Sequence, residues 1–152
     1  IFLPAVPVAV SAPAGRIANA AAAGRGSETL LLVEDEVAVR EFAVAVLRNQ
    51  GYRVLQACSG VDALEVWKWH GPRISLLFTD LVMPDGLSGA ELAVRLRKER
   101  PSLKIVLTSG YISEASGEEV PAPSGTHFIR KPYKPQALAQ VVRDALDGTF
   151  NS

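Results

Sequence analysis

The chain has 152 residues, 48% of them hydrophobic and 21% charged, enough for one ordinary globular domain with length to spare. Its 16 basic and 16 acidic residues cancel, so no overall basic field points to nucleic acid or to an anionic membrane surface, and charge-driven chemistry has to be local. The single Cys58 forms no internal disulfide and lacks the companions of a zinc site, which leans towards a reducing, cytoplasmic setting, and no apolar run approaches the about 20 residues that span a bilayer.

The opening run IFLPAVPVAV, residues 1–10, is apolar, but it lacks a basic n-region and is interrupted by Pro4 and Pro7, which disfavours a secretory signal. Residues 7–27 are rich in Ala, Gly, Pro and Ser, with too few bulky side chains to bury, and read as a linker. A domain is expected over 28–148, with 149–152 as a tail. TLLLVE (29–34) is a continuous apolar run, as expected of a strand buried on both faces. Val39, Phe42, Ala43, Val46 and Leu47 then stripe one face of a helix that stops at Gly51. YRVLQA (52–57) reads as a second strand, and Ser59 with Asp62 caps a helix striped by Ala63, Leu64 and Trp67. ISLLFT (74–79) is a third strand, and Ser88 with Glu91 makes a capping box for a helix ending before Pro101. LKIVLTS (103–109) and THFIR (126–130) are the fourth and fifth strands, with Pro121, Pro123 and glycines between them and no clear stripe. A final helix runs through Leu138, Val141, Val142, Ala145 and Leu146 and closes at Gly148.

Strands alternating with helices imply right-handed crossovers and a parallel sheet covered on both faces, a doubly wound α/β domain. In such a sheet ligands bind outside the carboxyl ends of the strands. The first strand ends at Glu34, Asp35 and Glu36, the third at Asp80, the fourth at Thr108 and Ser109, and the fifth at Lys131. Converging carboxylates repel one another, and a hard divalent ion such as Mg²⁺ relieves this while keeping sites for water and phosphate oxygens. A metal and a lysine are the apparatus that neutralises a phosphoryl group in transit. With no Ser/His pairing at the rim, the nucleophile is a carboxylate, Asp80, giving an acyl phosphate. His70, His127, Trp67 and Trp69 read as packing and surface residues, and Cys58 as a small residue at a strand end.

LLLVEDE, LLFTDLVMPDGLSG, VLTSGY and FIRKPY, in that order, resemble the receiver domain of two-component signalling, the response-regulator family. The resemblance covers residues 28–148 and implies a five-stranded parallel sheet in flavodoxin-like order 2-1-3-4-5 with a short or irregular fourth helix. It implies that Asp80 is the phosphoacceptor, that Asp35 binds Mg²⁺ directly with Glu34 assisting through water, and that the Val82 carbonyl is a further ligand. Lys131 would pair with the phosphoryl group, and Pro132 would follow a cis peptide bond. The switch hydroxyl is Ser109, because the family places a small residue after it and Gly110 follows; Thr108 is the alternative. The resemblance further implies that Phe128 is the aromatic that would shift inward with that hydroxyl.

MPDGLSG is one residue longer than the family's commonest turn and resembles receivers attached to histidine kinases. With residues 1–6, which resemble the last strand of a histidine-kinase ATP-binding domain, it points to the C-terminal receiver of a hybrid sensor kinase whose parent could be membrane-anchored. A stand-alone single-domain regulator is the alternative. The implied partners are a kinase dimerisation and phosphotransfer domain and a histidine phosphotransfer protein, with no nucleic acid and no membrane contact by this segment. An aspartyl phosphatase of the haloacid dehalogenase type needs a second Asp two positions after the first, where this chain has Val82.

Overall fold

Every strand of the sheet reaches one common rim, where the third, fourth and fifth end on the polar residues Asp80, Ser109 and Arg130 and the first runs straight into Glu34 and Asp35. The structure, a computed structural model, describes residues 26–83, 86–110 and 122–148. The strands are β1 (Thr29–Val33), β2 (Arg53–Ala57), β3 (Ile74–Asp80), β4 (Lys104–Ser109) and β5 (His127–Arg130). They are parallel and ordered β2-β1-β3-β4-β5, as expected from the sequence. The described helices are α1 (Val37–Asn49), α2 (Gly60–His70), α3 (Gly89–Glu99) and α4 (Pro135–Asp147), with a 3₁₀ turn at Gly71–Arg73. The expected short or irregular helix between β4 and β5 falls mostly on residues 111–121, and the expected remnant and tail on 1–6 and 149–152; these lie outside the described residues.

The alternation of side chains along a strand sends successive leucines of β1 to opposite faces. Leu31 and Val33 join Leu77, Ile105 and Leu107 under Ala63 of α2 and Leu92, Ala93 and Leu96 of α3. Leu30 and Leu32 join Leu76, Phe78 and Val106 under Ala43 and Leu47 of α1 and Leu138 and Val142 of α4. Each fully buried leucine contributes roughly 1.5–3 kcal/mol, so both faces are strongly held. The buried stripe of α1 is Ala43, Val44 and Leu47. Phe42 sits at the stripe's edge, 39% exposed, because its ring is taken up by Tyr133 at 6.1 Å between centroids.

Both expected caps are present. The Ser59 hydroxyl accepts the Asp62 amide at 3.0 Å, and Ser88 exchanges bonds with Glu91 in a full capping box. Trp67 packs against the core while Trp69 is 73% exposed, and Cys58 is exposed just past β2. No described helix is long and apolar enough to cross a membrane.

Candidate functional site

At the carboxyl ends of β1 and β3, three carboxylates and one ammonium converge. Glu34, Asp35 and Asp80 each place a carboxylate oxygen within 4.8 Å of the others. Glu34 and Asp80 are buried, and Asp35 is exposed. Lys131, just past β5, reaches across the rim and donates to Glu34 Oε2 at 2.6 Å and to Asp80 Oδ2 at 2.8 Å. The fold makes this possible because β4 lies between β3 and β5: the Leu81 amide donates to the Thr108 carbonyl, and the Lys131 amide to the Ser109 carbonyl. The Lys131–Pro132 bond is cis, as expected.

The remaining oxygens are held locally. The Val82 amide donates to Asp80 Oδ1 at 3.3 Å, and the Glu36 amide to Glu34 Oε1 at 3.1 Å. Burial pushes the Glu34 carboxyl above its ordinary range against the pull of Lys131 and the Glu36 amide, and the Asp80 charge adds to the rise. Burial alone would lower Lys131, but its bonds to Asp80 and Glu34 outweigh this and raise it. Burial, with the Glu34 charge behind it, pushes the Tyr133 hydroxyl up to about 12. One ammonium facing three ionised carboxylates leaves a double negative charge, and the donors are all oxygens, which fits a hard divalent cation of the Mg²⁺ kind.

The two hydroxyl candidates differ in setting. Thr108 is in register with Asp80 and buried, with its Oγ1 lacking a partner among the described residues. Ser109 is half-buried at the open rim. Phe128 is 55% exposed on β5, in register with Leu107.

Comparison with known families matches residues 30–143 to the response regulator receiver domain. The chain belongs to that family. It is a receiver domain of two-component phosphorelay signalling. The sensor kinase CckA of Brucella abortus (strain 2308) is 40% identical over 122 residues, which cover 80% of this chain and 13% of the kinase. The response regulator receiver protein CpdR of the same organism is 33% identical over 117 residues, covering 77% of this chain and 95% of CpdR. The crystal structure of the receiver domain from hybrid histidine kinase CckA superposes with a TM-score of 0.66 at 34% identity, covering 78% of this chain and 98% of that one. This receiver chain therefore spans only a small part of the sensor kinase but nearly all of CpdR.

Three contributors to the receiver site escaped the sequence reading. Gly89 opens α3 directly over the end of β3: a Cβ there would lie 2.0 Å from the Asp80 carbonyl oxygen. A glycine straight after a capping serine, where no positive φ is needed, signals such a close approach. Tyr133 stands edge-on to Phe78 and against Phe42, walling the rim. Arg40 reaches back from α1 to the Glu34 carbonyl at 2.8 Å. The charge of an arginine soon after an acidic turn was visible; its aim was not.

Proposed function

We propose that Asp80 of this receiver domain accepts a phosphoryl group from a phosphohistidine. The observation that supports this most is Lys131 Nζ bonded to both Asp80 and Glu34 at the rim of an open acidic cluster. An Asp80 carboxylate oxygen attacks phosphorus in line, the P–N bond breaks, and the imidazole leaves with the electron pair. The product is an acyl phosphate on β3. Lys131 follows the new charge, exchanging a carboxylate oxygen for a phosphoryl oxygen. Glu34 keeps the ammonium at the rim throughout.

Asp35, Asp80 and the Val82 carbonyl would hold Mg²⁺ directly, with Glu34 assisting. When bound, the ion neutralises phosphoryl oxygens and fixes their orientation. The Ser109 hydroxyl then moves towards the phosphoryl group and Phe128 turns in from solvent, carrying the local charge change to the surface. Domain limits of 28–148 for the receiver, 7–27 for a linker and 1–6 for a kinase remnant complete this reading. The likeness to the CckA receiver supports a hybrid-kinase receiver in the cytoplasm, taking its phosphoryl group from a kinase dimerisation domain and passing it to a histidine phosphotransfer protein.

The test is to incubate the protein with Mg²⁺ and acetyl phosphate and follow intact mass. Wild type should gain one phosphoryl group and Asp80→Asn none; no gain in wild type, or an equal gain in the variant, rejects the mechanism. The coverage of CpdR favours a second reading, a stand-alone regulator. An ATP-binding domain encoded in frame upstream of Ile1 would decide against it.

A further inference from the structure

We infer that Arg40 is a positioning residue for the metal-binding turn, acting on Asp35 through the Glu34 carbonyl. This rests on the reading of Asp35 as a metal ligand. Asp35 is exposed, and among the described residues nothing bonds its carboxylate, so the place of that carboxylate is set by its backbone alone. The preceding residue, by contrast, is held from every side. The Glu34 amide donates to the Ala57 carbonyl at 3.1 Å, and its carboxylate takes the Glu36 amide and the Lys131 ammonium. Its carbonyl, the acceptor of the peptide bond that carries Asp35, takes Arg40 Nη1 at 2.8 Å.

The helix start offers no substitute for that bond. Glu36, the N-cap of α1, makes no side-chain capping bond, and the first turn has no acidic side chain. Arg40, in the second turn, instead ties the turn to the helix by donating a charge-assisted bond to the Glu34 carbonyl, the reverse of a capping side chain, which accepts from amides. With the Glu34–Asp35 peptide held at its carbonyl, Asp35 is presented to the cluster without meeting the metal's demand for near-ideal geometry by its own rotamer alone.

The sign of the effect separates this role from a purely electrostatic one. A guanidinium acting only as a nearby positive charge repels a divalent cation, so its removal would tighten binding. A positioning guanidinium, when removed, loosens it.

The experiment measures Mg²⁺ affinity by isothermal titration for wild type, Arg40→Met and Arg40→Lys, with amide hydrogen exchange at Asp35 and Glu36 in the metal-free proteins. The expected result is an affinity on the order of tenfold weaker in Arg40→Met, as for loss of other outer-shell partners, with partial recovery in Arg40→Lys. Exchange at the two amides should be faster, and acetyl phosphate labelling should return to the wild-type rate at saturating Mg²⁺. In an Asp35→Asn background, Arg40→Met should weaken binding no further. Unchanged or tighter Mg²⁺ binding in Arg40→Met, or a labelling defect that saturating Mg²⁺ leaves intact, overturns the inference. If wild type itself neither binds Mg²⁺ nor labels at Asp80, the proposed function fails first, and the two failures are told apart by that control. Arg40→Lys and thermal melts keep the test decisive if Arg40→Met folds poorly.

Discussion

Replacing Gly89 with alanine adds one methyl group and should damage both stability and phosphorylation. The new Cβ would lie 2.0 Å from the Asp80 carbonyl oxygen, 2.8 Å from its carbon and 3.0 Å from Leu81 Cα, all backbone atoms that no rotamer change can clear. Since real Cβ contacts stay beyond 3.0 Å, the start of α3 or the end of β3 must retreat by at least about 1 Å. That retreat strains the bond from the Gly89 amide to the Leu81 carbonyl, now 2.9 Å. Overpacking of this kind costs about 1–3 kcal/mol, against a helix-propensity gain of under about 1 kcal/mol for alanine over glycine. The net loss should lower the melting temperature by up to roughly 10 °C. A shift of about 1 Å at Asp80, the proposed nucleophile, should slow labelling by up to roughly a hundredfold. Urea unfolding and acetyl phosphate labelling measure the two effects, with Gly110→Ala as the control, because no atom of the described residues lies within 4 Å of a Cβ there. A Gly89→Ala protein as stable and as fast as wild type would refute the contact.

Lys131→Ala should cut labelling by on the order of 10² or more, since a preorganised donor to the developing charge is lost. The same change leaves two buried carboxylates facing each other and should destabilise the metal-free fold by about 3 kcal/mol, read by thermal melting with and without Mg²⁺. Arg143→Ala removes the guanidinium that bonds Glu28 at 2.9 Å and Asp147 at 2.9 Å, and should cost about 1 kcal/mol at neutral pH. Burial would raise the Glu28 carboxyl, but Arg143 and the local amides outweigh it and hold it below its ordinary range. Its stabilisation is therefore complete above the unfolded carboxylate pKa, and the gap between wild type and variant should close as pH falls through the lowered folded value. A gap constant from pH 7 to pH 3 in urea titrations would disprove that linkage. Ser88→Ala breaks the capping box of α3 and should cost about 1 kcal/mol in the same assay while leaving Mg²⁺ affinity unchanged.

The sheet was readable from its leucines. TLLLVE and ISLLFT each hold three or more apolar residues in succession because both faces are covered, and the observed strands fall within a residue of those runs. The gathering of Glu34, Asp35, Asp80 and Lys131 at one rim was readable for the same reason: strand ends in a parallel sheet share an edge. Their inequality was not. A string of letters gives no depth, so it could not say that Glu34 is enclosed and ion-paired at 2.6 Å while its neighbour Asp35 faces solvent. Nor could it foresee that Phe42, placed on the apolar face by its spacing, would lean out against Tyr133. Contacts to backbone atoms, such as Arg40 on the Glu34 carbonyl, carry almost no sequence signature, because any residue supplies a carbonyl.

The covering of both faces of the sheet limits how news of a reaction can travel. The layer beneath α1 and α4 and the layer beneath α2 and α3 each hold a cluster of buried apolar side chains, and close-packed interiors do not deform by degrees. An event at Asp80 cannot spread downward through either layer without opening it. It has to leave sideways along the rim, through the few segments that start where strands stop. A partner that senses the state of this domain is therefore expected to grip the edge of the sheet rather than the broad flank of any helix.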